Sequence, residues 1–150
     1  MVALRPQRPQ ADRSALPLQA RLAGAPARGG PPWLTEQETA LVGDWNICPT
    51  DGDVFDPAQF VNSTHVTPAE RAAFQGFLDD GYAEVTRAHA PGYTYWDYYR
   101  QRFERDRGLK IDFVLANPVL AARVTGAFID REERAGQGAS DHAPVVVDLS

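Results

Sequence analysis

Several features that would place a chain in a specialised class are scarce or absent here. Cys48 is the single cysteine among 150 residues, so the sequence has no disulfide framework and suits a reducing cytoplasm. No apolar run reaches the length of about 18 residues that a transmembrane helix needs. The arginine-bearing N-terminus lacks the apolar stretch of a secretory signal peptide. The sequence therefore predicts a cytoplasmic protein with no membrane partner, in which Cys48 is a small buried hydrophobe.

Basic charge is also in short supply. The net charge is −5, which is the wrong sign for a protein that binds nucleic acid by bulk electrostatics alone. Basic and aromatic side chains nevertheless alternate within one short segment, which contains Tyr98, Tyr99, Arg100, Arg102, Phe103, Arg105, Arg107 and Lys110. Such a segment can contact phosphates locally. The alternative is a solvated loop whose charge is neutralised by Glu104 and Asp106.

The composition divides the chain at about residue 31. Residues 1–31 are rich in arginine, alanine and proline, with no aromatic or β-branched residue after Val2. This composition is typical of disorder. The stretch Gln19–Gly29 is also compatible with translation of a coding segment in the wrong reading frame. We therefore interpret residues 1–31 as a disordered or aberrant leader. Residues 32–150 are the candidate domain, with no internal repeat.

Strands and helices alternate along the candidate domain, which predicts an α/β fold with a mixed sheet. Strands are predicted at Thr39–Asn46, Tyr93–Tyr98, Lys110–Ala116, Val124–Ile129 and Pro144–Leu149. A helix is predicted from Thr67, because Thr67, Pro68 and Glu70 form the pattern of a capping box. A second, shorter helix is predicted from Pro118 to Arg123.

Three acidic motifs stand at the ends of these predicted strands. They are Gly43–Asn46, Ile111–Ala116 and Ser140–Val145. One sheet edge would then gather Asp44, Asn46, Asp112, Asp141 and His142. Carboxylates, an amide and an imidazole in one place are suited to hydrolysing a phosphate ester with a metal ion.

The chemistry can be assigned residue by residue. Asp44 and Asn46 lie two positions apart on a strand and point the same way, so the carboxylate can take a proton from water while the amide orients that water. The alternative for an isolated Asp-x-Asn is an Asx turn or a helix cap. His142, if charged, would stabilise the transition-state oxyanion and needs a carboxylate on its second ring nitrogen. Asp112 is the candidate for that role, whereas His65 and His89 are expected to be bystanders.

The segments GDWNICPTDGDVFDP, YTYWDYYRQRFERDRGLKIDFVLANP and SDHAPVVVDL resemble the C-terminal half of the exodeoxyribonuclease III family, within the endonuclease/exonuclease/phosphatase superfamily. The resemblance implies the C-terminal half of a four-layer α/β sandwich (DNase I-like). It also implies a monomeric Mg²⁺- or Mn²⁺-dependent phosphodiesterase that acts on double-stranded DNA at 3′ ends and abasic sites. The family's principal metal-binding glutamate has no counterpart here, so we expect the chain alone to be weakly active or inactive.

Individual roles also follow from the resemblance. It pairs Asp112 with His142. Together with the chemistry above, this makes Asp44, Asn46, Asp112 and His142 the candidate catalytic residues and Asp44, Asn46, Asp141 and His142 the candidate metal ligands. Asp141 cannot easily face the same way as His142, so it is either a metal ligand or a group that supports one. Substrate contacts are expected from Tyr95, Trp96, Leu109, Ile111, Arg100 and Arg107, of which Tyr95, Leu109 and Ile111 would line a slot for a flipped-out abasic sugar. These apolar residues could equally belong to the core. Two alternative functions are another phosphodiesterase or phosphatase of the superfamily, and a non-catalytic DNA-binding or partner module.

Overall fold

The computed structural model describes residues 36–150, so the leader assigned to residues 1–31 lies outside the described part. The strands, in chain order, are β1 (Ala40–Asp44), β2 (Ala83–Glu84), β3 (Asp112–Ala116), β4 (Val124–Ile129) and β5 (Val145–Leu149). The α-helices are α1 (Pro68–Asp79), α2 (Pro118–Ala121) and α3 (Arg131–Ala135). Short 3₁₀ helices lie at Asp51–Asp53, Pro57–Phe60 and Tyr99–Gln101. The predicted α/β class is confirmed.

The first sheet has the strand order β1-β3-β2 and both of its pairings are antiparallel. Its central strand, β3, is the most apolar, and Phe113 and Leu115 on it are fully buried. The register places Asp44 directly opposite Asp112. Because β1 ends where β3 begins, antiparallel pairing brings these two acidic residues to the same edge of the sheet.

The second sheet joins β4 to β5, again antiparallel, with an irregularity between Val124 and Gly126. Every strand pairing among residues 36–150 is thus antiparallel, and the mixed sheet predicted from the sequence is corrected in that respect. Strand β5 begins at Val145, three residues after His142, so the second sheet delivers the histidine to the edge that carries Asp44 and Asp112. Within the described residues, no helix combines the length and apolar character that crossing a membrane requires.

Helix α1 confirms the predicted capping box. The Thr67 side chain accepts from the Glu70 amide, and the Glu70 carboxylate accepts in turn from the Thr67 amide. Gly81, at φ 100°, ends the helical segment in the left-handed region that glycine adopts without strain. The buried face of the helix packs Phe74 against Trp45 and Phe113, directly behind the acidic edge.

The predicted strand at Tyr93–Tyr98 is wrong. This segment forms only isolated bridges, from Tyr95 to Leu109 and from Tyr95 to His142. Its partners on both sides are irregular chain, so the backbone hydrogen bonds that the alternating sequence predicted do not extend into a ladder. The Thr94 hydroxyl instead accepts from the amides of Ile111 and Asp112. The segment is therefore a connector that fixes the start of β3.

Candidate active site

Asp112 and His142 form a hydrogen-bonded pair at the edge of the first sheet. Nδ1 of His142 lies 2.9 Å from Oδ2 of Asp112, and the carboxylate oxygen accepts from the ring N–H. This contact fixes the ring tautomer and turns the other ring nitrogen towards β1. Nε2 lies 3.9 Å from Oδ2 of Asp44, which is too long for a hydrogen bond but close enough for charge attraction. The pairing that the family resemblance implied is present in the structure.

Charge in this cluster favours a protonated imidazole. Burial opposes the charged ring and is the largest single effect, but the hydrogen bond to Asp112 and the charges of Asp112, Asp44 and Asp141 together raise the pKa of His142 above its usual range. The pKa of Asp44 is also raised, first by burial and then by the charge of Asp112, although the hydrogen bond from Asn46 opposes this. The raised pKa of Asp44 makes its carboxylate a better proton acceptor than an exposed aspartate.

Asn46 folds back onto Asp44 instead of continuing the strand. The backbone amide of Asn46 donates to Oδ1 of Asp44 at 2.8 Å, and its side-chain amide donates to Oδ2 at 3.1 Å. Asn46 has φ 52°, in the left-handed region. The Asx turn proposed as the structural alternative is therefore the observed geometry, and it presents the Asn46 amide beside the carboxylate. Asp44, Asn46, Asp112 and His142 are called the acid–histidine cluster below.

Asp141 is placed by its backbone. Its carbonyl accepts from the Trp96 amide at 2.9 Å, while the amide of the following His142 donates to the Ser140 hydroxyl at 3.1 Å. The bond between Trp96 and Asp141 ties the last motif to the Tyr93–Tyr98 connector. Asp141 adds negative charge near His142.

Mg²⁺ and Mn²⁺ bind oxygen ligands, and the acid–histidine cluster supplies some of these. Within residues 36–150, no three His, Cys, Asp or Glu side chains are arranged to hold a metal ion. The oxygens of Asp44 and Asn46 are nevertheless of the type these ions prefer, and Mg²⁺ is commonly bound through one or two carboxylates with several waters. The cluster thus fits part of a magnesium site, and ligation by Asp44, Asn46, Asp141 and His142 stays a prediction.

The residues expected to line a sugar slot separate into two groups. Tyr95 lies against the His142 ring, with 5.0 Å between ring centroids. Tyr95 and Leu109 also line a cavity of about 280 Å³ beside the cluster. Ile111 is only 2% exposed and packs with Cys48 and Val54 in the core, and Trp96 is fully buried. Leu109 is 4% exposed and belongs to the same buried cluster as Ile111, so both match the alternative of ordinary core positions. Trp96 was expected to pack behind the slot, which agrees with its burial.

Cys48 is the buried hydrophobe that its sequence context predicted. Its thiol is inaccessible, and burial, followed by the charge of Asp53, raises its pKa to about 12. A thiol in this state is inert as a nucleophile.

Residues 98–107, called the arginine segment below, carry cations that stack on aromatic rings. The Arg100 guanidinium lies 4.8 Å from the Tyr99 ring centroid, and those of Arg102 and Arg107 lie 5.1 and 6.0 Å from that of Phe55. None of these three arginines forms an ion pair with any residue in 36–150. They are available to phosphate oxygens.

Lys110 corrects the sequence interpretation of this basic run. It is 2% exposed, its ammonium donates to the Ala90 carbonyl, and burial lowers its pKa. It is therefore not a phosphate contact. Asp106 likewise has a structural role, because its carboxylate accepts from the Trp96 indole at 3.2 Å and pairs with Arg131 at 2.8 Å.

His65 and His89 were expected to be bystanders, and that expectation stays a prediction. His89 is exposed, as expected. His65, by contrast, places Nδ1 2.7 Å from the carbonyl oxygen of Asn46. No local sequence motif indicates this contact, because it joins residues 19 positions apart through a loop.

The chain is similar to known proteins, both in sequence and in fold. A profile of the endonuclease/exonuclease/phosphatase family matches residues 3–142. The chain is 31% identical over 115 residues to exodeoxyribonuclease III of Haemophilus influenzae, across 70% of this chain and 43% of that protein.

Two solved structures show the same fold. The 3′ phosphatase NExo from Neisseria, bound to a product DNA hairpin, superposes with a TM-score of 0.72 and 37% identity, across 75% of this chain and 45% of that one. An AP endonuclease from Archaeoglobus fulgidus superposes with a TM-score of 0.77 and 26% identity, across 91% of this chain and 54% of that one. The chain thus spans roughly half of the length of the relatives it matches.

Proposed function

The chain belongs to the endonuclease/exonuclease/phosphatase family, and from that premise we propose that it carries part of the active site of a DNA-repair phosphodiesterase of exodeoxyribonuclease III type. The observation that supports this most is the Asp112–His142 pair beside Asp44. The proposed reactions are 3′–5′ exonuclease cleavage and incision at abasic sites in double-stranded DNA.

The acid–histidine cluster has a group for each demand of phosphodiester hydrolysis. Asp112 holds the ring of His142 through Nδ1, so a proton on Nε2 is available to an oxygen of the pentacoordinate phosphorus. Asp44 accepts the proton of the attacking water, and its raised pKa suits that task. The Asn46 amide, held beside Asp44, orients the water and the phosphate.

Mg²⁺ or Mn²⁺ is the proposed cofactor, and Asp44 and Asn46 are the described residues whose oxygens would hold it. When bound, such an ion neutralises charge on the phosphate oxygens. Asp141 is a further proposed ligand. His142 is not one in this proposal, because Nδ1 donates to Asp112 and Nε2 carries the hydrogen offered to the phosphate, so neither ring nitrogen has a lone pair for the ion. In this proposal the described residues bind and orient the substrate and move its protons.

The arginine segment is the proposed contact for the DNA backbone. Arg100 and Arg107 are stacked and free of carboxylate partners among residues 36–150, which leaves their N–H groups for phosphates. Tyr95, against His142, would contact the sugar next to the scissile bond. These positions would let bound DNA present its phosphate to the cluster.

A second candidate function is hydrolysis of a terminal 3′ phosphate. It is favoured by the 37% identity to the Neisseria protein, which is described as a 3′ phosphatase. The two functions differ in leaving group and use the same cluster, so the substrate alone separates them.

The test uses the purified chain at high concentration in single-turnover reactions. Three duplexes are compared, carrying an internal abasic site, a 3′ phosphate or a plain 3′ hydroxyl end, each with Mg²⁺ and with a chelator. Metal-dependent incision or nucleotide release supports the nuclease, and release of inorganic phosphate alone supports the phosphatase. Asp112→Asn is the matched control, since it keeps the shape of the side chain. Because the chain alone is expected to be weakly active or inactive, the same duplexes are also given to a fusion of this chain with the part of the Haemophilus influenzae protein that lies outside the match. Salt-sensitive binding with no turnover by either protein would contradict both enzymes and leave a DNA-binding module.

A further inference from the structure

His65 connects the acid–histidine cluster to the loop that follows the 3₁₀ helix Pro57–Phe60. Its ring Nδ1 lies 2.7 Å from the carbonyl oxygen of Asn46. A carbonyl only accepts, so Nδ1 carries the hydrogen and Nε2 is the unprotonated nitrogen of the neutral ring. The backbone of His65 makes a second bond to the same segment, because its carbonyl accepts from the Cys48 amide at 2.7 Å.

We propose that His65 is a positioning residue of the active site, whose Nδ1–H holds the Asn46 carbonyl and thereby the turn that sets the Asn46 amide beside Asp44. The effect of His65 on turnover rests on the proposed function. The contact itself does not depend on that function, since it is a feature of the folded chain.

Backbone conformation supports this role. Asn46 has φ 52° and His65 has φ 78°, so two non-glycine residues in the left-handed region face each other. That region is unfavourable for most L-residues, although asparagine and histidine enter it more often than the others do. A residue kept there against its preference is expected where the surrounding structure over-determines it, often at a functional site.

The loop around His65 is held firmly enough to transmit this constraint. Thr64 donates to the Glu70 carboxylate at 3.1 Å, and Thr67 and Glu70 close the capping box of α1. Hydrogen bonds from Thr67 and its neighbours outweigh the burial of Glu70, so the pKa of Glu70 is lowered and its carboxylate is charged. His65 thus projects from a rigid helix start onto Asn46.

The same ring borders the space next to the cluster. His65 lines the cavity of about 280 Å³ together with Tyr95, Leu109 and Arg102, and Tyr95 contacts the His142 ring. The His65 side chain therefore contacts Asn46 and also lines the cavity. Loss of the ring would release the Asn46 turn on the side where the proposed substrate lies.

Three substitutions separate the hydrogen bond from the backbone strain. His65→Ala removes the donor and keeps the strain. His65→Gly removes both, because glycine adopts positive φ without cost. His65→Asn tolerates the left-handed conformation and places its amide nitrogen near the position of Nδ1, so it is the rescue variant. His89→Asn is the control, since His89 is exposed and no side-chain hydrogen bond or ion pair joins it to the cluster within residues 36–150.

The first readout is independent of catalysis. Nitrogen NMR of the full chain is expected to show a hydrogen on Nδ1 of the His65 ring. The side-chain amide signal of Asn46 should shift in His65→Ala and His65→Gly, and stay in place in His65→Asn and His89→Asn. An Asn46 signal unchanged by His65→Ala and His65→Gly would overturn the proposal, as would a shift in His65→Asn as large as in His65→Ala.

The second readout is a split between turnover and binding on the best substrate duplex. We expect kcat to fall by at least about tenfold in His65→Ala and His65→Gly, as misplacement of an orienting group predicts, with Kd for the duplex within about twofold of the wild-type value. His65→Asn should recover most of kcat. Equal losses in all three variants would overturn the positioning role. If the wild-type chain alone turns over no duplex, the NMR result decides the role of His65, and the proposed function is judged separately by the fusion protein described above.

Discussion

The acid–histidine cluster and the arginine segment are two polar regions built in different ways. In the cluster, side chains hold one another by hydrogen bonds, from Asp112 to His142 and from Asn46 to Asp44. In the arginine segment, the cations of Arg100, Arg102 and Arg107 rest on aromatic rings and pair with no carboxylate among residues 36–150. The polar groups of the cluster bond to one another, whereas the three arginines keep N–H groups that no carboxylate among residues 36–150 engages.

This difference suggests a division of labour. Preorganised hydrogen bonds stabilise charge that develops during a reaction, because they need no rearrangement when it occurs. Stacked, unpaired arginines lose little side-chain freedom on meeting a phosphate and keep their positive charge for it. We therefore expect changes in the cluster to act on kcat, and changes in the arginine segment to act on Kd and its salt dependence. The predictions below test this separation.

The largest effect is expected from the cluster. In a form of the protein completed to full family length, Asp44→Asn, Asp112→Asn and His142→Ala should each lower kcat by at least about 10²-fold, because each removes a proton acceptor, a ring partner or an oxyanion donor. Kd for DNA should change little. Single-turnover kinetics with an abasic or 3′-phosphate duplex measure the first quantity, and fluorescence anisotropy measures the second.

The double variant tests whether Asp112 acts through the ring. Asp112→Asn combined with His142→Ala should be no slower than His142→Ala alone, since residues that act as one unit are not additive. Strictly multiplicative losses would show that Asp112 works somewhere other than on His142.

A smaller effect, of opposite character, is expected from the arginine segment. Arg100→Gln and Arg107→Gln should each raise Kd several-fold and reduce the slope of log Kd against log salt by about 1, with kcat at saturation unchanged. Arg123→Gln is the control, because Arg123 pairs with Glu38 at 2.8 Å and lies outside the segment. A fall in kcat without a change in salt slope would abolish the proposed separation.

The sequence was most informative where chemistry and local structure share the same residues. The motifs at strand ends predicted that Asp44, Asp112 and His142 would meet, and the register of β1 against β3 and the Asp112–His142 bond place them together. The capping box of α1 was equally predictable from the sequence, because Thr67, Pro68 and Glu70 are near neighbours in the chain. The roles of these residues in a reaction stay predictions.

The failures share a physical cause. The strand predicted at Tyr93–Tyr98 needed knowledge of its partners, which turned out to be irregular chain around Leu109 and His142. Lys110 reads as a surface cation in its basic segment, yet it is buried because β3 begins there and passes into the core. The His65–Asn46 contact also had no sequence signal, because it depends on tertiary packing. Periodicity and composition carry no signal for such long-range contacts.

The next prediction concerns helix α1, whose buried face packs behind the cluster. Thr67→Ala removes the side-chain oxygen that accepts from the Glu70 amide and should lower the free energy of unfolding by about 1 kcal/mol. Ser63→Ala, close by in the same loop, should change it by less than about 0.5 kcal/mol. Urea denaturation followed by circular dichroism measures both. Equal effects of the two substitutions would mean that the cap contributes nothing beyond local loop packing.

The smallest effect is a pH dependence of stability that only the cluster should show. The folded-state pKa of His142 is raised, because the hydrogen bond to Asp112 and the nearby carboxylates outweigh burial of the ring. The folded state therefore binds this proton more tightly than the unfolded chain does. The resulting stabilisation is fully present below the unfolded pKa of about 6.5 and is lost as pH rises through the folded pKa. Because the side chain is 29% exposed, we expect less than about 1 kcal/mol.

The measurement is the difference in free energy of unfolding between wild type and His142→Gln, taken by urea denaturation at about pH 5.5 and about pH 8.5. The difference should be larger at the lower pH, because only there does the wild-type ring keep its charge-dependent stabilisation. His89→Gln is measured alongside as the control, because His89 is exposed and forms no ion pair with any residue in 36–150. A His142→Gln difference that grows towards alkaline pH would mean that burial of the ring outweighs its carboxylates. The cluster would then hold a neutral imidazole, and oxyanion stabilisation by a charged ring would have to be abandoned.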